Sequence, residues 1–295
     1  MSDKNDKKDV GTTGHSWDGI EELNNPLPRW WVWVLYATIV WGVLYTIAYP
    51  AWPLIKGATP GMLGFSTRGQ VAEDIAAVDA ANAELTTKLA AADLATLSDD
   101  PELYSYAVNG GRAIFAANCS QCHGSGAAGV QAGGYPNLLD DDWLWGGQVE
   151  EIAYTISHGI RNEQSLDSRY SQMTAFGTDG ILNEEEIDAV VQHVLAISGQ
   201  EHDAAMAETG AVIFYDNCAA CHGDNGEGNI GLGAPNLSDA IWLYGGDEET
   251  IYTSVYAARF GVMPAWSEEY RVGGGLDQSE INAVATFVHQ LGGGQ

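Results

Sequence analysis

Two short stretches of this chain share a pattern of two cysteines and a histidine. "NCSQCHG" begins at Asn118 and "NCAACHG" begins at Asn217, 99 positions later. The likeness starts upstream, because "GRAIFAANCSQCHG" from Gly111 aligns without gaps to "GAVIFYDNCAACHG" from Gly210. Any fold of this chain therefore has to house the CxxCH pattern twice, in two related settings.

The repeat continues downstream of the cysteines. "PNLLDDDWLWGG" from Pro136 matches "PNLSDAIWLYGG" from Pro235, and both copies end on a similar segment, "LNEEEIDAVVQHVLAI" against "LDQSEINAVATFVHQL". That last segment predicts a helix with a capping box, since Asn183 or Asp277 is followed three positions later by glutamate. The period of about a hundred residues is too long for a solenoid and indicates a duplicated, mostly helical domain.

The histidine directly after the second cysteine indicates which of the three common uses of CxxC applies to this chain. Zinc needs four ligands, and a redox dithiol is typical of an α/β fold that neither copy predicts. CxxCH is the attachment pattern of c-type haem, in which two thioethers hold the porphyrin and the histidine binds the iron. The pattern predicts two c-type haems, attached at Cys119 and Cys122 and at Cys218 and Cys221, with His123 and His222 as axial ligands.

A second axial ligand is expected from methionine. Met173 and Met263 occupy equivalent places in the repeat, whereas Met206 has no counterpart. Sequence equivalence alone suggests that each methionine serves its own copy, but the pairing is left open. Methionine raises the iron potential relative to a second histidine and suits electron transfer. His158, His193, His202 and His289 are expected to be surface or core residues.

Pro136 and Pro235 each lie 13 residues after the axial histidine of their copy. A backbone carbonyl at that place is expected to accept the histidine Nδ1–H and to fix the ring. Alternatively the prolines only shape a turn, and the two roles are compatible.

A charge-free segment near the N-terminus predicts a membrane anchor. Its core, Trp30–Tyr49, has 20 residues, about 30 Å as a helix and enough to cross a bilayer. A cleaved signal peptide is the alternative, but no cleavage site follows the segment. The flanking cations are Lys4, Lys7, Lys8 and Arg29 before the span and Lys56 and Arg68 after it. Their distribution predicts a cytoplasmic N-terminus.

Charge limits the partners of the chain. Acids outnumber bases 40 to 12, for a net charge of -28, which argues against nucleic acid and favours a cationic partner. Solubility alone is the other explanation of this acidity. All four cysteines belong to the two motifs, so no disulfide framework is expected.

These features predict a division of the chain into five parts. Residues 1–29 are predicted as a cytoplasmic segment, 30–55 as the transmembrane anchor and 56–102 as a spacer with a helix over 70–97. The two repeats then predict domains at 103–200 and 201–295. The first copy has nine more residues between its tryptophan and its methionine, and its longer loop, 161–171, is expected to build an interdomain contact.

The arrangement resembles a known family, the dihaem cytochrome c subunit (subunit III) of cbb3-type cytochrome c oxidases. Its most particular part is "GHSWDGIEELNNPLPRWW" (14–31), which is similar to the N-terminal signature of that family. The resemblance implies a mainly α fold, with one N-terminal transmembrane helix before two tandem class I cytochrome c domains. Met173 and Met263 match the axial methionines of the family, in which crossed ligation between the domains also occurs.

The resemblance also implies a setting. The chain would lie in the bacterial inner membrane with its haem domains in the periplasm, beside a copper/haem catalytic subunit and a monohaem cytochrome c subunit. It would pass electrons from a periplasmic cytochrome c toward an oxygen-reducing, proton-translocating enzyme, without being catalytic itself.

Two other functions remain open. One is a free-standing membrane-anchored dihaem shuttle without a fixed partner. The other is a dihaem enzyme such as a peroxidase, which needs an iron with a displaceable ligand and which would give His158 a role.

Overall fold

The computed structural model describes residues 10–293, so Lys4, Lys7 and Lys8 lie outside the described residues. The chain divides into two compact units between Ala81 and Asn82. The first unit holds the anchor, and the second holds both CxxCH motifs.

A β-hairpin opens the first unit. Strands β1 (Thr12–Trp17) and β2 (Ile20–Leu23) pair antiparallel, and Asp18 and Gly19 between them both have positive φ, 50° and 83°. An Asp-Gly pair in a two-residue turn matches the twist of the flanking strands. The sequence analysis missed this hairpin, although the Asp-Gly pair is a signal for it.

Helix α1 (Arg29–Ala48) is long and apolar enough to cross a membrane. None of its residues is buried within the protein, which suits a helix whose apolar side chains face lipid. The helix is shorter than the predicted span 30–55. After it the chain turns back, with Met62 N–H donating to the Ile47 carbonyl at 2.9 Å and strands β3 (Pro53–Leu54) and β4 (Gly57–Ala58) forming a second small hairpin.

The spacer helix α2 covers Thr67–Ala90 rather than the predicted 70–97. The chain leaves the α-helix at Ala90, and a 3₁₀ helix follows at Leu94–Asp99. The Asp93 carboxylate accepts from Ala95 N–H and starts this new turn, as a side chain does at a helix N-cap.

The second unit is helical, as the sequence predicts. Its α-helices are α3 (Pro101–Ile114), α4 (Ser120–His123), α5 (Val149–His158), α6 (Glu184–Ile197), α7 (Ala204–Asn217), α8 (Ala219–His222), α9 (Glu248–Ala257) and α10 (Gln278–His289). Both predicted capping boxes are confirmed, on Asn183 with Glu186 and on Asp277 with Glu280.

The helices of the two sequence copies pack crosswise. Helix α3 of the first copy packs against α10, the last helix of the second copy, and α7 of the second copy packs against α6 of the first. Helix α5 likewise packs on α10, and α9 packs on α6. The boundaries 103–200 and 201–295 remain a prediction about the repeat, because the packing cuts across them.

Two buried clusters result, each assembled from both copies. The first core consists of Phe115, Ala127, Val149, Ile152, Ala153, Ile156, Leu276, Ile281, Val284, Ala285, Phe287 and Val288. The second core consists of Phe176, Leu182, Ile187, Val190, Val191, Val194, Leu195, Phe214, Cys218, Ala219, Ile251 and Val255. Neither copy therefore completes a core from its own residues.

Two equivalent glycines allow the crossed helices to touch. A Cβ on Gly111 would collide with the Ala283 carbonyl and lie 2.7 Å from the Phe287 Cβ. A Cβ on Gly210 would collide with the Ala189 carbonyl and lie 3.0 Å from the His193 Cβ. Because Ala189 and Ala283 are themselves equivalent in the repeat, the same close crossing is built twice.

We expect Gly111→Ala to destabilise the protein and Gly110→Ala to stabilise it. The added methyl at position 111 forces α3 away from α10, an overpacking cost of about 1–3 kcal/mol. Nothing lies within 4 Å of a Cβ on Gly110, so alanine there gains about 0.5–1 kcal/mol of helix propensity. Chemical denaturation of the detergent-solubilised chain measures both changes in the free energy of unfolding. Equal effects of the two substitutions would contradict the close crossing.

Candidate haem sites

Each CxxCH lies where a long helix runs on into a short one. In the first copy α3 continues through a π-helical turn, Phe115–Cys119, into α4, and such turns are frequent at functional sites. In the second copy α7 leads directly into α8. Both short helices end on a glycine with positive φ, Gly124 at 79° and Gly223 at 82°, which turns the chain sharply after the histidine.

The histidine rings are held by the backbone of the proline segments. The His123 Nδ1 lies 3.1 Å from the Pro136 carbonyl, and the His222 Nδ1 lies 3.0 Å from the Pro235 carbonyl. Because a carbonyl only accepts, each Nδ1 carries the proton and each Nε2 keeps its lone pair for a metal. The predicted hydrogen bonds are therefore confirmed.

The surroundings of the histidines favour the neutral ring. Burial lowers the pKa of both His123 and His222, although the proline carbonyls act in the opposite direction. At neutral pH both imidazoles are therefore uncharged and able to bind iron. A close approach of the loops maintains this geometry, since a Cβ on Gly228 would meet Asn236 N at 2.7 Å.

The cysteines lie in surroundings that disfavour thiolates. Burial, together with the neighbouring thiol of the motif, raises the pKa of Cys119 and of Cys218 to about 11. A redox dithiol or a zinc ligand instead requires a stabilised thiolate. A thioether carries no charge, so these two positions suit covalent attachment of an apolar porphyrin edge.

Each methionine packs against the core at which a cysteine of the opposite copy lies. Met263 packs against the first core together with Cys119. Met173 packs against the second core, to which Cys218 belongs. Sequence equivalence suggests the opposite pairing. The crossed arrangement follows from the exchange of α6 and α10, since each methionine segment leads into its final helix.

The backbone of Met263 is fixed by the first copy. Ile160 and Met263 exchange two backbone hydrogen bonds, both 3.0 Å. The Arg161 side chain donates to the Gly261 carbonyl at 2.6 Å and to the Ser171 carbonyl at 2.8 Å. The longer loop of the first copy therefore contacts the methionine segment of the second, which is the interdomain contact that the sequence predicts.

A seam joins the loops that surround the two motifs; we define it by Gly134, Trp145, Gly233 and Tyr244. The Tyr244 ring lies against Gly134 of the first copy, and the Trp145 ring lies against Gly233 of the second. Tyr244 and Trp145 are equivalent in the repeat, as are the two glycines. The seam is therefore reciprocal, and the two CxxCH loops face each other across it.

The side chains that the sequence predicted as sites fit a c-type haem in each core. Cys119 and Met263 pack against the first core, the second core contains Cys218 and packs against Met173, and the histidine of each motif has a free Nε2. His158 belongs to neither core. Its Nδ1 lies 3.3 Å from Ser165 Oγ and its ring packs against Tyr154 and Tyr270.

Two of the remaining histidines also have structural contacts. The His193 ring packs against Phe214, with the ring centres 5.1 Å apart. The His202 Nδ1 donates to the Gln200 carbonyl at 2.8 Å. Both agree with the expectation of surface or core residues.

Comparison with protein families gives three consecutive matches. The N-terminal domain of cytochrome oxidase-cbb3, FixP, matches residues 9–56. Subunit III of the cbb3-type cytochrome c oxidase matches residues 107–194, and cytochrome c matches residues 207–292. The matches cover the anchor and both copies of the repeat.

Curated relatives match over nearly the whole chain. The cbb3-type cytochrome c oxidase subunit CcoP of Cereibacter sphaeroides is 56% identical over 100% of both chains. The CcoP subunit of Rhodobacter capsulatus is 53% identical over 98% of both chains. The FixP subunit of Bradyrhizobium sp. strain ORS 278 is 49% identical over 97% of this chain and 96% of its own. The resemblance seen in the sequence is thereby confirmed, and the chain belongs to the CcoP/FixP family of cbb3-type cytochrome c oxidase subunits.

Proposed function

We propose that this chain is the electron-transfer subunit of a cbb3-type cytochrome c oxidase and that it carries two covalent haems. The observation that carries the proposal is that each buried core joins one cysteine of a CxxCH motif to the methionine of the other copy, while the histidine of that motif is oriented through Nδ1. Each bound haem supplies a one-electron iron couple at a fixed place in the protein.

The proposed ligand sets cross between the copies. Cys119 and Cys122 would hold one haem, and His123 and Met263 would bind its iron; Cys218 and Cys221 would hold the other, and His222 and Met173 would bind its iron. The packing of Met263 and Cys119 against one core, and of Met173 against the core that contains Cys218, supports this assignment. Histidine and methionine are both neutral ligands, and an iron bound by both would exchange electrons without offering a position to a substrate.

The protein's part in the transfer is to keep the surroundings of the ligands unchanged. The proline carbonyls fix the imidazoles, and the Ile160 pair fixes the Met263 backbone. The buried cores exclude water from the inner face of each site. None of these residues performs bond chemistry, so we assign oxygen reduction to another subunit and no catalytic residue to this chain.

The proposed setting is the bacterial inner membrane. Helix α1 anchors the chain with its N-terminus in the cytoplasm and the haem domains in the periplasm. The exposure of its apolar side chains supports the anchor, and the cations before the span support the orientation. The partners in the complex are a copper/haem catalytic subunit and a monohaem cytochrome c subunit.

Electrons reach the chain from a cationic periplasmic cytochrome c. The net charge of -28 supports this donor, because an acidic surface steers a lysine-rich protein toward it. The contacts of His158 with Ser165, Tyr154 and Tyr270 give no support to the peroxidase alternative.

Crossed ligation predicts which methionine substitution abolishes the methionine–Fe(III) absorption band of each haem. In a Cys119→Ala/Cys122→Ala background only the second haem remains, and Met173→Leu should then abolish its methionine–Fe(III) absorption band. Met263→Leu should leave that band intact. In a Cys218→Ala/Cys221→Ala background the two effects should exchange.

Met206→Leu is the matched control for these variants, because Met206 is 36% exposed on α7 and belongs to neither core. It should leave both bands unchanged. If Met263→Leu abolished the band of the second haem in the Cys119→Ala/Cys122→Ala background, each methionine would bind the haem of its own copy and crossed ligation would be wrong.

The oxidation of the donor cytochrome c by this chain should slow as salt is added. Screening shortens the reach of the acidic surface to about 10 Å at 0.1 M ionic strength, so the association rate of a lysine-rich cytochrome c should fall steadily with ionic strength. Stopped-flow measurements give the rate, and an uncharged small reductant serves as the control. A rate that is independent of salt would rule out charge-steered docking.

The chain should also co-purify with the catalytic subunit. After gentle solubilisation, an affinity tag on this chain should retain oxygen-reducing activity in a complex of constant subunit ratio. A chain that migrates alone, while the oxidase activity elutes elsewhere, would instead support the free-standing shuttle.

A further inference from the structure

Positive charge is scarce around the two candidate haem sites. Residues 101–293 contain no lysine, and their five cationic side chains are Arg112, Arg161, Arg169, Arg259 and Arg271. Arg112 and Arg271 are exposed, whereas the other three are half-buried. These three lie beside the aromatic residues of the seam, so the buried positive charge is concentrated in one place.

Arg169 is the most enclosed of the three. Its side chain is 14% exposed, and its guanidinium lies 5.5 Å from the centre of the Trp145 ring and 4.8 Å from that of Tyr154. It forms an ion pair with Glu151 through one terminal nitrogen. Its Nε is buried and has no hydrogen-bond partner within the described protein.

An unpaired donor on a buried cation is costly, because a charged group loses water and gains nothing in return. The Glu151 carboxylate does not remove this cost, since it engages only the end of the guanidinium. The buried Nε therefore points to an acceptor that the polypeptide does not provide.

Arg161 and Arg259 approach the other aromatic residue of the seam. The Arg259 guanidinium lies 4.8 Å from the centre of the Tyr244 ring and donates to the Thr250 carbonyl at 2.7 Å. Arg161 is close enough to Tyr244 for its charge to oppose the rise that burial causes in the pKa of the phenol. Neither arginine has an ion pair with a carboxylate among the described residues.

Two of the three arginines are a repeated feature. Arg169 and Arg259 each lie four residues before the methionine of their copy, in "SRYSQM" and "ARFGVM", whereas Arg161 belongs to the segment in which the first copy is longer. The repeat thus places an arginine beside each of the two equivalent aromatic residues, and each guanidinium donates to an equivalent backbone carbonyl, that of Glu151 or of Thr250.

We propose that Arg169, together with Arg161 and Arg259, binds the propionate carboxylates of the two haems at the seam. The inference rests on the proposed function, because it requires haem at both sites. A haem bound through its vinyl edge still carries two carboxylates, which need cationic donors where water is excluded. The seam supplies such donors in a region that is otherwise acidic.

The charge has a consequence for the redox couple. Reduction adds an electron to the site, and a nearby cation stabilises that added negative charge. Loss of the cation should therefore lower the midpoint potential. Arg169→Gln should reduce the ferrous-to-ferric ratio of one haem at a fixed potential roughly threefold to tenfold, where tenfold corresponds to about 59 mV.

The experiment is a spectroelectrochemical titration of the full-length chain in detergent. Arg271→Gln is the matched control, because Arg271 also stacks on a tryptophan, 4.1 Å from the centre of the Trp266 ring, but is exposed. It removes the same charge and should leave the midpoint nearly unchanged. Resonance Raman spectra should show a change in the propionate bending bands in Arg169→Gln only.

Glu151 requires its own control, because Arg169→Gln also leaves this carboxylate unpaired. If Arg169 binds a propionate, the double variant Arg169→Gln/Glu151→Gln should keep a lowered midpoint, and Arg169→Lys should restore much of it. A double variant with the wild-type midpoint would show that Arg169 acts only through Glu151 and would overturn the proposal. Equal shifts in Arg169→Gln and Arg271→Gln would overturn it as well.

Haem content separates this inference from the proposed function. Two covalent haems by mass and intact methionine bands, with no shift in Arg169→Gln, would overturn the arginine assignment and leave the function standing. A mature wild-type chain without added haem mass would instead overturn the function. If Arg169→Gln does not accumulate with two haems, Arg259→Gln gives the same comparison against Arg271→Gln, and no shift there counts against the proposal.

Discussion

The close crossing of α3 with α10, and of α7 with α6, is the contact on which the rest of this structure depends. Gly111 and Gly210 allow each pair of helices to meet backbone to backbone. Because the paired helices come from different copies, each core closes only when both copies are present. The two sites therefore share their stability, and a change in the packing of one copy reaches the ligands of both.

The same exchange explains how the proposed axial ligands are brought together. Each histidine is placed by its own copy, through a short helix and a proline carbonyl. Each methionine precedes the final helix of its copy. Because that helix packs in the opposite core, the methionine lies at that core as well. The longer loop of the first copy then secures the Met263 segment through Ile160 and Arg161.

The acidic and the basic side chains lie in different surroundings. The chain as a whole is strongly acidic, with a net charge of -28, which supports the steering of a cationic donor. The half-buried arginines are concentrated at the seam, beside the aromatic residues Trp145 and Tyr244. Surface charge thus affects encounter, whereas the seam arginines affect the redox sites in the proposed function.

Local signals in the sequence were sufficient to predict the helical class, the anchor, both capping boxes and the Nδ1 bond from each histidine to a proline carbonyl. Each depends on residues close together in the chain. The N-terminal hairpin, the end of α2 at Ala90 and the partner of each methionine were not predicted. Met173 and Met263 occupy equivalent places in two similar copies, so packing within a copy and packing between copies satisfy the same pattern. Only the tertiary structure decides between them, because the choice depends on which final helix meets Gly111 and which meets Gly210.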